Sequence, residues 1–415
     1  MSRVCPSAGQ NLRLTLELDG LRFGLTPEDL FRLALRQNRQ RAFLFVSPVL
    51  GKHIPQRPAA LLAAGKLLSL AMEGTESPGR WTEVLRGADR TPFPALVEEL
   101  EESQICLGAE ERTLFVGFAE TATGLARSAA ACYRGECAYI STTRLDCPGR
   151  TAITFEESHS HAKTHRLYLD GQEPFAASCR RAVIIDDEFT TGSTALKLAE
   201  ALHSRFGISR FVLLSLLDWT DGSLCQAMEA RCGLQIRQVS LLHGAIGGVE
   251  AGEPPPAALD DWRGRGVGSE PLVLSESGLG TGRFLLSPAG QAEDREACRR
   301  LAQAIGPVEP DTLVLGTEEL IYEPALIAGY LGAAAFHSST QSPVYPLPGS
   351  GVENGACFDP PDCYSGAGYL YNVPKGRYSR AIVLGEEKTA SPQALAQLAD
   401  WLKWRGCART EVVLL

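Results

Sequence analysis

The run Val183-Ile184-Ile185-Asp186-Asp187-Glu188-Phe189-Thr190-Thr191-Gly192-Ser193-Thr194 constrains this chain more than any other segment. Three apolar residues read as the end of a buried strand. Two carboxylates follow, at the strand end where open α/β sheets bind ligands. Hydroxyl residues around Gly192 then lead directly into a helical pattern. A helix start offers unpaired N–H groups and the positive end of the helix dipole, which suits a phosphate. Glycine lets the backbone close around the anion. Adjacent carboxylates only accept hydrogen bonds, which suits a pair of sugar hydroxyls.

The surrounding pattern gives that segment a frame. Leu12, Leu14, Leu16 and Leu18 alternate with polar residues as in a half-buried strand, and Thr26-Pro27 opens a helix. A strand over 42–46 and a helix over 59–72 follow, and 73–90 reads as a variable loop. From Thr113 the order becomes strand (114–116), loop (117–124), helix (125–132), strand (138–140). The polar, aperiodic stretch 144–163 reads as a lid or binding loop. Strand 183–185, helix 193–204 and strand 211–217 complete an α/β alternation, which implies a parallel sheet covered on both faces.

A chain of 415 residues exceeds one ordinary core. The Pro-, Gly- and charge-rich stretch 253–282 reads as a linker between a first domain (1–252) and a second (283–415). The second repeats the first. Arg380-Ala381-Ile382-Val383-Leu384-Gly385-Glu386-Glu387-Lys388-Thr389 aligns with Arg181 to Thr190, and Leu313 to Glu319 aligns with the strand and loop ending at Glu120. Gly117 and Asp186 lie 69 positions apart, as do Gly316 and Gly385. The copy replaces Asp186 by Gly385, Gly192 by Ser391, Ser193 by Pro392 and Thr194 by Gln393. The expected fold is therefore two tandem parallel-sheet domains, the second degenerate.

The net charge of -9, with no basic run, argues against a nucleic-acid partner. No apolar window reaches the roughly 18 residues of a membrane span, and Met1 to Gln10 lacks a signal-peptide pattern. The 12 cysteines are scattered, with no closely spaced ligand pairs. The expectation is a cytoplasmic protein with reduced thiols and no membrane partner.

With these residues in view, the segment from Val183 to Thr194 resembles the 5-phosphoribosyl-1-pyrophosphate signature of type I phosphoribosyltransferases. The loop Gly117-Phe118-Ala119-Glu120-Thr121-Ala122-Thr123-Gly124 is similar to that family's pyrophosphate loop, and Phe43 to Pro55 resembles the hood of its orotate-type members. The order of hood, Gly-Phe-Ala-Glu-Thr loop, Ser141-Thr142-Thr143-Arg144, Asp-Asp signature and Gly316-Thr317-Glu318-Glu319-Leu320 looks like the orotate-transferase-like family with a C-terminal TRSP domain, which is associated with bacterial tellurite-resistance and stress gene clusters. The name-giving Thr-Arg-Ser-Pro reads Thr340-Gln341-Ser342-Pro343 here.

The resemblance implies transfer of ribose 5-phosphate from 5-phosphoribosyl-1-pyrophosphate to a small nitrogenous acceptor, with Mg2+ as cofactor, a nucleoside-like product and homodimers among relatives. Asp186 and Asp187 would hold the ribose hydroxyls and a share of the Mg2+. Thr190, Thr191, Gly192, Ser193 and Thr194 would cradle the 5-phosphate. Gly117, Glu120, Thr121, Lys52 and His53 would border the pyrophosphate. Arg144, Lys163 and His165 are candidates for stabilising its departure, and His159 or His161 for moving a proton. Trp219 could stack on the acceptor and Asp218 read its edge, although a buried core Trp explains the same residue. Other classes stay open on sequence alone: a phosphorylase or hydrolase acting on a nucleotide, a donor-binding regulator, or a scaffold.

Overall fold

In the computed structural model the chain builds one mostly parallel sheet and one parallel sheet, joined by backbone pairing between the two halves. The structure describes residues 2–37, 41–147, 150, 152–156, 164–169, 171–253, 256, 259–265, 272–273, 279, 281–362 and 366–415.

The first half contains strands β1 (Leu12–Leu21), β2 (Arg32–Arg36), β3 (Phe43–Val46), β4 (Thr113–Gly117), β5 (Cys137–Ser141), β6 (Ala152–Glu156), β7 (Thr164–Tyr168), β8 (Arg181–Phe189), β9 (Arg210–Asp218) and β10 (Gln235–Ala251). Its helices include α1 (Pro58–Met72), α2 (Thr123–Ala130) and α3 (Ser193–Phe206). The main sheet runs β1-β10-β9-β8-β4-β5, parallel from β10 to β5, with β1 antiparallel on β10. Strands β4, β8 and β9 are apolar on both faces because helices cover both. Helix α1 is apolar almost all round and is buried against α2. The two cross closely at Gly65, where an added Cβ would stand 2.5 Å from the Ser128 carbonyl carbon.

The second half contains β11 (Leu272–Val273), α4 (Pro288–Ile305), β12 (Leu313–Gly316), α5 (Tyr322–Leu331), β13 (Ala335–Ser338), β14 (Val344–Tyr345), β15 (Arg380–Gly385), α6 (Pro392–Trp404) and β16 (Arg409–Leu414). Its sheet is wholly parallel, in the order β11-β16-β15-β12-β13. Its strands β16-β15-β12-β13 match β9-β8-β4-β5 in order, so the repeat read from the sequence is a repeat of topology over four strands; the edge place of β10, which follows β9 in the chain, is taken by β11, which precedes the other strands.

Each half lends a strand-like segment to the other's sheet. Gln56 exchanges backbone bonds with Phe336 on β13 (2.8 and 2.9 Å), and Leu286 does the same with Tyr139 on β5 (2.7 and 2.8 Å). The hood sheet β2-β3 gains its third strand from the second half, through β14.

Two segments differ from the sequence reading. The expected loop 73–90 contains a helix, Trp81–Arg86, whose Trp81, Val84 and Leu85 are buried. Too short for periodicity to reveal, it is stabilised by that burial. The expected structureless stretch 144–163 includes β6, which forms a hairpin with β7. Its apolar residue Phe155 and the partner residue Leu167 pack into the core beside β4 and β8. Among the described residues no helix is long and apolar enough to cross a membrane.

Behind the joint, Arg127 on α2 is fully buried and bridges Asp294 on α4 and Glu323 on α5. Removing one member of such a cluster strands the others without a counter-charge. Arg127→Ala should therefore cost about 3–5 kcal/mol in a denaturant titration. A change under ~1 kcal/mol, the range of exposed pairs, would contradict this reading of the cluster.

Candidate active site

Strand β8 carries the two carboxylates near its C-terminal end, followed by Glu188 and Phe189. Asp186 is in register with Ser215 on β9, and the Asp187 N–H donates to Asp186 Oδ1 at 2.9 Å. Desolvation, with repulsion from Asp187 added, holds the Asp186 carboxyl well above its usual range. Asp187 is raised by the same desolvation. The chain then turns at Gly192, whose φ of 71° is a left-handed conformation that glycine adopts without strain. Gly192 is the N-cap of α3, a helix of 14 residues. The Ser193 N–H reaches Thr191 Oγ1 at 3.3 Å and the two hydroxyls lie 3.1 Å apart. Thr190, Ser193 and Thr194 are half-buried and Thr191 is exposed. A desolvated acid pair, a left-handed glycine and the N-terminus of a long helix thus follow one another within nine residues, the elements that can hold a phosphate beside polar hydroxyls.

The hood closes one side. Arg41 pairs with Glu188 and lies over the Phe43 ring at 4.7 Å. Trp219, expected to stack on an acceptor, is only 6% exposed. Its indole stacks on Phe45 at 4.9 Å and meets Phe31 edge-on at 6.1 Å. It fastens the hood to the sheet, because a large apolar ring gains more from burial than from a wet site. Asp218 is also engaged: Oδ1 accepts the Thr220 N–H at 2.9 Å and Oδ2 the Gln238 amide at 3.2 Å.

On the other side lies the loop after β4. Gly117 ends the strand, and an added Cβ there would press on Ala126 at 2.6 Å. Thr121 is half-buried before α2. Glu120, incongruous beside a pyrophosphate on sequence grounds, is 6% exposed and paired with Lys52 at 2.6 Å and Arg144 at 3.1 Å. It also accepts the Gln341 N–H at 3.3 Å. Lys52 is 1% exposed and donates in addition to the carbonyls of Glu318 and Ser339. Three oxygens, one from Glu120 and two backbone carbonyls, therefore hold its ammonium inside the joint, away from the site expected for it. His53 is likewise buried, stacked on Tyr371 at 5.8 Å, and desolvation lowers its pKa to about 3. It is neutral at ordinary pH and cannot offer charge to a phosphate. His165 packs on Phe155 at 5.3 Å with Nδ1 3.2 Å from Thr142 Oγ1. His159, His161 and Lys163 lie outside the described residues.

Residues 30–245 match the family model described as phosphoribosyl transferase, more than half of the chain. The chain belongs to the phosphoribosyl transferase family. Residues 280–402 match the TRSP domain found C-terminal to that transferase domain. No curated protein matches the sequence. Among solved structures, adenine phosphoribosyl transferase from Trypanosoma brucei, in complex with AMP, pyrophosphate and ribose-5-phosphate, is similar at 18% identity and a TM-score of 0.25. The match covers 38% of this chain and 64% of that one.

The transferase's second half carries side chains that sequence reasoning passed over. Arg283 pairs with Glu319 at 3.1 Å and with Glu386. Asp362 lies 3.4 Å from Thr317 Oγ1, and the Ser391 N–H binds the Pro361 carbonyl at 2.7 Å. The loop corresponding to the phosphate loop is thus filled by the chain itself. Asp362 is 4% exposed, and desolvation raises its pKa to about 7. Arg41, Arg283 and Asp362 had no local motif to mark them, whereas Glu319 could have been found by its alignment with Glu120.

The strained acids of the first half make a stability prediction. A carboxyl whose folded pKa is raised favours the protonated native state, so wild type loses stability as pH climbs above the unfolded value, near 3.8. Asp186→Asn removes that loss. Its melting temperature should match wild type at about pH 3 and exceed it by several degrees at about pH 7. A lower melting temperature at neutral pH would show that the Asp186 charge is stabilising after all.

Proposed function

We propose that this chain moves ribose 5-phosphate from 5-phosphoribosyl-1-pyrophosphate to a small nitrogenous acceptor and releases pyrophosphate. The observation that carries this reading is the desolvated Asp186–Asp187 pair next to a phosphate-shaped turn at Gly192, in a chain of this family. The acceptor nitrogen forms a bond to ribose C1. The bond from C1 to pyrophosphate oxygen breaks with its electron pair going to pyrophosphate, and the acceptor gives its proton to solvent or a base.

Each part of the site has a task in that step. The Thr190–Thr194 turn and the start of α3 hold the 5-phosphate through N–H and hydroxyl donors. Asp186 and Asp187 accept from the ribose hydroxyls, and their negative charge favours the cationic character that ribose gains as the bond breaks. Arg144 approaches the leaving group from the root of the β6–β7 hairpin. Glu120 with Lys52 fixes the loop whose backbone faces the pyrophosphate.

Mg2+ fits this arrangement as a shared ligand. Among the described residues no group of three or more His, Cys, Asp or Glu side chains could hold a metal. Asp186 and Asp187 would supply hard oxygens, and donor and water oxygens the remainder. When bound, Mg2+ neutralises charge on the departing pyrophosphate.

We place the donor in the first half alone. In the second half Gly385 stands where the ribose carboxylate would be needed, and Pro361 and Asp362 fill the turn. The product would be nucleoside-like, in keeping with the TRSP-containing family.

Calorimetric titration with the donor and Mg2+ tests the reading. Wild type should bind one equivalent at micromolar strength. Asp186→Asn/Asp187→Asn should abolish the heat. Gly192→Ala, which forces a side chain into left-handed backbone, should weaken binding about tenfold or more. Binding that survives the double substitution would contradict the assignment of the pair.

A further inference from the structure

The two halves exchange the same contact in opposite directions. Glu120 of the first half accepts the backbone N–H of Gln341 in the second. Glu319 of the second half accepts the backbone N–H of Arg144 in the first, at 2.9 Å. Ala119 and Glu318, one residue earlier in each loop, donate their N–H groups to Thr142 and Ser339 hydroxyls at 2.9 and 3.1 Å. One half of this pseudo-symmetric pair sits on the candidate active site and the other half does not. Glu319 therefore acts across the joint on residues that belong to the first-half site.

Glu319 is 5% exposed and its two oxygens are shared among three donors. Oε1 takes the Arg144 N–H, while Oε2 takes the Thr143 hydroxyl at 2.6 Å and the Arg283 guanidinium at 3.1 Å. Thr143 bridges to β7, the second strand of the β6–β7 hairpin. Its N–H and carbonyl both bond to Arg166 on β7, at 2.9 Å each, and its hydroxyl accepts the Leu145 N–H at 3.0 Å. The Arg144 side chain then reaches Glu120 in the loop after β4. Fixing two adjacent residues at one turn sets both where the hairpin is rooted and where the Arg144 guanidinium starts.

We infer that Glu319 is a positioning residue for the pyrophosphate side of the first-half site, supplied by the TRSP domain. This rests on the reading that pyrophosphate departs past Arg144 and the loop of Glu120. The role calls for a carboxylate. Three donors converge on Glu319, and a carboxylate has acceptors only. A glutamine of the same shape would turn an N–H2 group toward either Arg144 N–H or the Thr143 and Arg283 donors, and would remove the charge facing Arg283. The second half thereby contributes to the chemistry without touching the donor, and the loss of the signature from its own loop costs the enzyme nothing.

The experiment uses the full-length protein as wild type, Glu319→Gln and Glu319→Ala. Each is titrated separately with Mg2+-pyrophosphate and with ribose 5-phosphate, and amide hydrogen exchange is followed over residues 141–146 and 164–168. Glu319→Ala should weaken pyrophosphate about tenfold, with Glu319→Gln in between, while ribose 5-phosphate stays within about twofold of wild type. Exchange should speed up at Thr143 to Leu145 and at Arg166. Unchanged pyrophosphate affinity in Glu319→Ala, or equal weakening of both ligands, would overturn the inference, because a merely structural residue does not separate the two. If wild type binds neither ligand, the proposed reaction fails on its own. The exchange pattern then decides the part that stands without the ligand, whether Glu319 orders the Arg144 segment: faster exchange confined to Thr143–Leu145 and Arg166 upholds it, and unchanged exchange refutes it. Should Glu319→Ala not fold, the isosteric Glu319→Gln carries the same comparison.

Discussion

Buried charge between the two halves sets the geometry on which the site depends. Lys52, Glu120 and Arg144 meet on one side of the joint, and Glu319, Arg283 and Glu386 on the other. All but Arg144 are buried, and a buried charge is costly if left alone in the interior. The chain satisfies them in pairs and adds backbone N–H groups from the opposite half. Reciprocal backbone pairing at Gln56–Phe336 and Leu286–Tyr139 locks the register of the two sheets. The loop after β4 and the Thr143–Arg144 segment are held from this joint, so the position of the proposed pyrophosphate side depends on both halves.

The corresponding corners of the two sheets are built differently. In the first, no ion pair to Asp186 or Asp187 is present among the described residues and burial raises both carboxyls, an arrangement of the kind found where charge is kept for a ligand. In the second, the same corner of the sheet is closed. Glu386 is neutralised by Arg283, and Asp362 and Pro361 lie against the turn. The second half also braces its neighbour. Strand β14 illustrates this, since two residues of the second half complete the hood sheet of the first.

Much of this was legible in the sequence, for physical reasons that can be named. The turn at Gly192 and the acid pair are local: strand, carboxylates, glycine and helix start follow one another, so one segment specifies the arrangement. The tandem sheets were legible because apolar strands recur at matching spacing, as with Gly117 to Asp186 and Gly316 to Gly385. Long-range partners were not. Lys52 reads as a cation available to phosphate until Glu120, the Glu318 carbonyl and the Ser339 carbonyl are seen around it. Trp219 and Asp218 read as acceptor contacts until Phe45 and Gln238 are seen against them. The helix at Trp81–Arg86 and the β6–β7 hairpin were hidden because tertiary burial, and not local pattern, stabilises them.

The most direct test of the account is a crystal structure of the full chain with 5-phosphoribosyl-1-pyrophosphate and Mg2+. The account predicts one donor molecule, with its 5-phosphate against Thr190–Thr194, its ribose hydroxyls on Asp186 and Asp187, and its pyrophosphate between Arg144 and the loop of Glu120. Donor bound instead at the Glu386–Ser391 turn of the second half, or in both halves alike, would contradict it.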